Sequence, residues 1–215
     1  MRYRLVVFDW DGTVIDSPAA IVECMQAASR DLGLAVPEPG RASHVIGLGL
    51  HEAMRIVAPD LPGERYPEYV DAYRRHFRAR EDTMRLFAGM EALLLRLSRE
   101  RLLSIATGKS RRGLERSLDA TGVRRLFAAS RCADETRPKP HPAMLLELMA
   151  ELNIEADGVL MIGDTSHDME MARAARVDAL AVSYGAHPEQ QLRACGPRGC
   201  VASVEALGRW LSENA

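Results

Sequence analysis

Two aspartates follow a short apolar run near the start of the chain. Residues 5–13 read LVVFDWDGT, and such apolar, β-branched and aromatic residues are typical of a buried strand. Because strand side chains alternate between faces, Asp9 and Asp11 would share one face if the strand stayed straight. Two carboxylates there could bind a hard cation and supply a nucleophile and a proton donor. A solvated Asp-Gly turn is the alternative interpretation.

Two later segments offer groups that could bind an anion. Residues 103–110 (LSIATGKS) place Thr107 and Gly108 at the end of a predicted strand, just before a helix amino terminus. Backbone N–H groups at such a point bind phosphate readily, although an ordinary helix cap also explains the pattern. In residues 137–142 (RPKPHP), the alternating prolines stiffen the chain around Lys139, which suits a fixed point charge.

A second pair of acids follows another predicted strand. Residues 160–168 (LMIGDTSHD) place Asp164 at the strand end and Asp168 in the first turn of a helix, where an acid also complements the helix dipole. Each segment has an ordinary structural explanation when taken alone. Together, however, the acid pairs, the hydroxyl and the lysine all fall at one edge of one predicted sheet, which favours a catalytic site.

Strands and helices alternate through the second half of the chain. After the first strand, further strands are predicted at residues 102–106, 126–129, 158–162 and 179–182. Helices are predicted between and after them, at residues 89–100, 110–121, 142–152, 166–176 and 204–213. This alternation favours an α/β fold with a Rossmann-like parallel sheet and helices on both of its faces.

The region between the first strand and this alternating part is predicted to be helical throughout. A helix over residues 17–32 is followed by helix candidates at 43–46, 50–58 and 66–80. Residues 1–15 and 87–215 are therefore predicted to form the core, and residues 16–86 an inserted all-helical cap. A cap inserted there would cover the carboxyl ends of the strands, where open sheets bind ligands, and could act as a lid.

Composition limits the classes of partner. The 215 residues include 28 basic and 30 acidic side chains, so the chain lacks the basic excess of a general nucleic-acid binder. No apolar run approaches the ~20 residues of a membrane span. The four cysteines are scattered and no signal peptide is evident, which favours a cytoplasmic protein with incidental thiols.

These segments, in this order, resemble the motifs of the haloacid dehalogenase-like hydrolase superfamily, and in particular its helical-cap, phosphoglycolate phosphatase-like members. The resemblance implies a Mg²⁺-dependent phosphomonoester hydrolase whose partner is a small phosphorylated metabolite such as phosphoglycolate. Asp9 would be the nucleophile that becomes an aspartyl-phosphate. Asp11 would be the acid and base that protonates the leaving oxygen and later activates water.

The resemblance also implies the binding residues. Thr107, Gly108 and Lys139 would bind the phosphoryl group, with Lys139 also neutralising the charge on the nucleophile. The implied metal ligands are Asp9, Asp11 through its backbone carbonyl, and Asp164, with Asp168 supporting the metal.

Asp11 bears on the reaction type, because haloacid dehalogenases as a family lack an acid at that position, and carbon–halogen cleavage needs no protonated leaving group. Phosphate chemistry is therefore favoured. A phosphosugar mutase of the same fold is the alternative enzyme, and a non-catalytic regulator that binds a phosphorylated ligand is a third possibility.

The chain departs from the family pattern at two positions. Gly108 stands where the family often has Asn, and it is followed by Lys109, which either compensates or is exposed. Arg176 stands where the family usually has Gly, at a helix end that commonly requires positive φ. Trp10, between the first two acids, is expected to face packing rather than the site.

The resemblance implies that residues of the cap determine which substrate is bound. Residues 47–50 (GLGL) are predicted to form a turn between cap helices that could reach the site. Basic residues that flank this turn could bind a substrate carboxylate, or could simply lie on the solvated surface. They are Arg41, His44, His51 and Arg55.

Overall fold

The computed structural model describes residues 2–81 and 83–215. The fold of these residues is built on one six-stranded parallel sheet. The strand order is β3-β2-β1-β4-β5-β6. The strands are β1 (Leu5–Phe8), β2 (Leu102–Thr107), β3 (Ala129–Cys132), β4 (Val159–Gly163), β5 (Asp178–Val182) and β6 (Cys200–Val201). The chain order reverses on either side of β1, which creates a ligand-binding crevice beyond the carboxyl end of that strand.

Helices cover both faces of the sheet, which confirms the predicted Rossmann-like α/β class. The helices are α1 (Pro18–Asp31), α2 (Pro39–His44), α3 (Leu50–Val57), α4 (Tyr66–Glu81), α5 (Met90–Leu97), α6 (Arg111–Thr121), α7 (Ala143–Leu152), α8 (Ser166–Ala174), α9 (Glu189–Ala194) and α10 (Val204–Asn214). Alternate residues of β1 enter separate cores: Val6 and Phe8 pack in one, and Leu5 and Val7 in the other.

Two predicted elements need correction, and two short elements were not predicted. The third strand lies at Ala129–Cys132 rather than 126–129, because Arg124–Leu126 forms a 3-10 turn instead. The short helix predicted at 43–46 is found at Pro39–His44, where a proline occupies the first helical turn. Neither α9 nor β6 was predicted, since such short elements show too few periods of an apolar pattern.

The helices α1–α4 lie between β1 and β2 in the chain, and α1 packs on both α2 and α4. The chain leaves and re-enters the core along two adjacent segments. The N–H of Asp16 donates to the carbonyl of Arg85 (2.9 Å), and the N–H of Phe87 donates to the carbonyl of Val14 (3.1 Å). We propose that these paired segments bound a cap of residues 16–86, with residues 1–15 and 87–215 as the core.

Among the described residues, no helix combines the length and the apolar character required to cross a membrane.

Candidate active site

The carboxyl ends of three adjacent strands bring the predicted site residues to one edge of the sheet. Phe8 of β1 is in register with Ile105 of β2 and with Ile162 of β4. Asp9 therefore follows β1 beside Thr107, which ends β2, and beside Asp164, which follows β4. All three side chains are buried, so their polar groups must be satisfied by each other or by a ligand.

Lys139 lies at the centre of this group and is completely buried. Its Nζ is 2.7 Å from Oδ1 of Asp9 and 2.6 Å from Oδ1 of Asp168. The backbone N–H of Trp10 also donates to Oδ1 of Asp9 (2.6 Å). The orientation of the Asp9 carboxylate is thus set from two sides.

The two acids after β4 are held by hydrogen bonds of their own. Asp164 accepts from the hydroxyl of Thr13 and from the backbone N–H of Ala186, each at 2.7 Å. Asp168 accepts from the N–H and the hydroxyl of Thr165 (3.0 and 2.7 Å), which closes a capping box at the start of α8. Asp168 therefore both caps a helix and pairs with Lys139.

Three carboxylates converge here, and the donor set fits a divalent cation. Oxygens of Asp9, Asp164 and Asp168 lie within 4.8 Å of one another. Within the described part of the chain, Oδ2 of Asp9 is buried without a hydrogen-bond partner, and the ammonium of Lys139 contacts two of the three acids, Asp9 and Asp168. A hard cation such as Mg²⁺ prefers oxygen ligands of this kind. The side chain of Asp11 is not part of this set.

Burial controls the titration of the group. Burial raises the pKa of Asp9 well above its ordinary value, against the opposing charge of Lys139 and with the nearby carboxylates of Asp168 and Asp164 adding to the rise. Burial, followed by the charge of Asp168, raises the pKa of Asp164 to about 7. Although burial lowers the pKa of Lys139, the charges of Asp168 and Asp9 outweigh it and keep this ammonium protonated. A bound cation would oppose the rise at both acids.

Asp11 faces the same cavity as Asp9 but has different partners. The hydroxyl of Ser17 donates to Oδ1 of Asp11 (2.7 Å), and Nζ of Lys109 is 3.0 Å from Oδ2. Lys109 is largely buried, and its ammonium also lies 4.5 Å from the ring centroid of Phe77 on α4. The lysine that follows Gly108 is thus directed at Asp11 rather than at solvent.

Trp10 separates the two acids and packs away from them, as expected. Its indole N–H donates to the hydroxyl of Ser117 (2.8 Å), and its ring meets Phe127 edge-on with 6.0 Å between centroids. The strand ends at Phe8, so the two acids do not stand on one straight strand. Gly12, with φ of 80°, turns the chain directly after them.

A cavity of about 770 Å³ opens above the acids. The predicted turn at residues 47–50 forms part of its wall, together with His51 and Arg55. Only residues 47–49 are a loop, which we call the cap loop, because Leu50 begins α3. The other two flanking residues are used elsewhere. Arg41 donates to the carbonyl of Ile56 at 2.7 and 3.1 Å, and the His44 ring packs on the rings of His167 and His187.

Sequence reasoning missed two kinds of functional neighbour. Ser17, the first residue of the helix predicted over residues 17–32, donates to Asp11 and orients it, which a helix pattern does not show. Arginines of α4 and α6 also line the cavity, and their spacing of four residues, which places each pair on one helix face, is the sequence signal that could have found them. They are Arg74, Arg78, Arg112 and Arg116.

Comparison with known proteins places this geometry in context. The family model described as haloacid dehalogenase-like hydrolase matches residues 6–182. The probable phosphatase IndB of Dickeya dadantii is 35% identical over 200 residues, covering 90% of this chain and 87% of that protein. The N-acetylmuramic acid 6-phosphate phosphatase of Pseudomonas putida is 31% identical over 197 residues, covering 88% of this chain and 87% of that protein.

One relative has a different kind of name. The tyrosine-protein kinase PtkA of Mycobacterium tuberculosis is 34% identical over 187 residues, which is 85% of this chain but 62% of the kinase. This chain therefore spans less than two thirds of that kinase, and the remainder of the kinase has no counterpart in the match.

Proposed function

We propose that this chain, which belongs to the haloacid dehalogenase-like hydrolases and is a phosphatase, hydrolyses small phosphomonoesters with Mg²⁺ as its cofactor. The observation that carries the proposal is the buried group of Asp9, Lys139, Asp164 and Asp168, of which Asp9 lines the cavity. Three carboxylates against one ammonium are a poor site for an anion until a cation is present. When a cation is bound, the negative charge is offset and the group suits a phosphate ester.

Asp9 is the proposed nucleophile. One of its carboxylate oxygens attacks phosphorus, the bond from phosphorus to the alcohol oxygen breaks, and an aspartyl-phosphate forms on Asp9. The N–H of Trp10 and the ammonium of Lys139 orient the carboxylate for this attack. Such orientation accounts for much of the rate gain in phosphoryl transfer.

Asp11 is the proposed acid and base. In the first step its carboxyl group gives a proton to the departing alcohol oxygen. In the second step its carboxylate takes a proton from water, whose oxygen attacks phosphorus and releases inorganic phosphate and free Asp9. Ser17 and Lys109 orient the Asp11 side chain, because each contacts one of its two carboxylate oxygens.

The phosphoryl oxygens are proposed to bind at the end of β2, to Thr107 and the backbone N–H of Gly108, with Lys139 beside them. The cation would be held by Asp9, Asp164, Asp168 and the Asp11 carbonyl. When bound, it would offset the repulsion between the attacking carboxylate and the phosphate dianion.

The test is phosphate release from a panel of small phosphoesters, with and without Mg²⁺. We expect Asp9→Asn to lower kcat by about 10³-fold or more, because the amide is a poor nucleophile. The matched control is Asp157→Asn, an exposed acid in a turn before β4, which should retain wild-type activity. Unchanged release by Asp9→Asn would refute the proposal. Isomerised sugar phosphate without free phosphate would identify a mutase instead.

A further inference from the structure

The cavity above Asp9 is larger than a two-carbon ester such as phosphoglycolate requires. Its volume of about 770 Å³ is within the range for drug-sized ligands, roughly 300–1,000 Å³. Apolar side chains of the cap line part of it, including Met25 and Phe77, which are largely buried. The leaving group of the substrate therefore has room for a body of sugar or nucleoside size.

Basic side chains line the outer part of this cavity in pairs. Two helices each contribute residues spaced i, i+4, which place both side chains of a pair on one helix face, about 6 Å apart along the axis. We call these residues the basic rim: Arg74 and Arg78 of α4, with Arg112 and Arg116 of α6. One helix belongs to the proposed cap and the other to the core, so the rim spans both.

Little negative charge compensates the basic rim. Arg116 pairs with Glu81 at 2.8 Å, and Arg74 has only an exposed contact to Asp71 at 3.6 Å. Within the part of the chain that the structure describes, Arg78 and Arg112 have no recorded hydrogen bond or ion pair.

Two further acids lie in the cavity wall. Asp134 accepts a hydrogen bond from the N–H of Arg111 (2.8 Å), and Glu52 lies on the wall formed by α3. On α3 the wall also carries His51 and Arg55. The net charge of the whole chain is −2, so this positive concentration is local to the cavity.

We propose that the basic rim is a second anion subsite, which binds a phosphate or carboxylate carried by the leaving group of the substrate. The proposal rests on the function proposed above. Guanidinium groups bind both kinds of anion with paired, charge-assisted hydrogen bonds, and Arg78 and Arg112 have their donors available. A second anion bound between α4 and α6 would also hold the cap closed over the reacting group.

The experiment compares three substrates of similar size: a hexose 6-phosphate, a hexose 1,6-bisphosphate and 6-phosphogluconate. In the double variant Arg78→Gln/Arg112→Gln, we expect kcat/KM for at least one doubly anionic substrate, relative to the hexose 6-phosphate, to fall about tenfold or more, mainly through KM. The bisphosphate and phosphogluconate arms show whether phosphate or carboxylate is preferred. The control Arg75→Gln, beside the rim but facing Asp31 at 3.7 Å, should leave both ratios unchanged.

Failure of the subsite is distinguishable from failure of the proposed function. If the double variant lowers kcat/KM equally for all three substrates, or for none, the subsite is wrong. If the wild type hydrolyses none of them, calorimetry compares the Kd of the hexose bisphosphate with that of the hexose 6-phosphate. Tighter bisphosphate binding that the double variant abolishes supports the subsite without catalysis, and equal Kd values overturn it.

Discussion

Lys139 shows how a single residue can organise a site. Its ammonium is completely buried between Asp9 and Asp168, and such an ion pair is expensive to desolvate. Removing one partner of a buried pair typically costs about 3–5 kcal/mol, because a buried charge is left without compensation. Because the cost of desolvation offsets the attraction between the charges, the intact pair is weak evidence for stability. We interpret its role as orientation of the Asp9 carboxylate.

Arg176 lies just past the end of α8 and has φ of 59°. This left-handed conformation costs an ordinary residue about 1–2 kcal/mol. Glycine removes that cost, but part of the gain is lost because glycine has more conformational entropy in the unfolded chain. We expect Arg176→Gly to raise the free energy of unfolding by about 0.5–1 kcal/mol, measured by urea unfolding. The matched control is Asn153→Gly, with φ of 51°, where asparagine already tolerates this conformation. An equal or smaller gain at Arg176 than at Asn153 would contradict the strain argument.

At the scale of elements, the cap loop 47–49 approaches the end of β2 very closely. A side chain at Gly108 would place its Cβ 2.5 Å from the carbonyl oxygens of both Gly47 and Leu48. The end of α2 is also attached to the core, because the His44 carbonyl accepts from ring nitrogens of His167 (2.9 Å) and His187 (3.1 Å). The glycine after Thr107 is thus explained by packing of the cap.

We expect Gly108→Ala to displace the cap loop, because backbone oxygens cannot tolerate such a contact. Steady-state kinetics should then show kcat/KM falling about tenfold or more, since about 1 Å of misplacement can cost a hundredfold. The control Gly63→Ala has no heavy atom within 4 Å of the added Cβ and should behave as wild type. Wild-type kinetics for Gly108→Ala would mean that the cap loop does not need this position.

At the scale of the whole molecule, the buried carboxylates of the candidate active site repel one another when no metal is bound. Three buried carboxylates face one ammonium, and burial raises the pKa of Asp164 to about 7. An unfolded aspartate titrates near 4. Between these two values, the folded chain keeps a proton that the unfolded chain has lost. The contribution of Asp164 to the free energy of unfolding should therefore fall as pH rises from about 4 to about 7.

Mg²⁺ should reverse this trend, because a cation binds the ionised carboxylates. At about 100 times its Kd, a ligand of the folded state adds about 2.7 kcal/mol. We expect thermal unfolding to show a larger Mg²⁺-induced rise in Tm at pH 8 than at pH 5, and Asp164→Asn to remove most of that difference. An equal rise in Tm at both pH values would contradict the linkage.

Several features could be predicted from sequence because they are local. The apolar run before Asp9 and the strand–turn–helix pattern around Asp164 depend on neighbours within a few residues, so strand ends and motif residues could be located. Parallel strands then bring such ends to one edge by topology alone. The α/β class and the haloacid dehalogenase-like resemblance follow from that local information, and the family match and the sheet order confirm both.

Tertiary structure decided the remaining features, because they depend on helix rotation and on contacts distant in sequence. Helical periodicity shows that Arg74 shares a face with Arg78, but not that this face meets Arg112 across a cavity. The contact of Lys109 with Asp11 and Phe77 joins three separate elements. Short segments such as α9 and β6 are stabilised by neighbours rather than by their own pattern, so only packing reveals them.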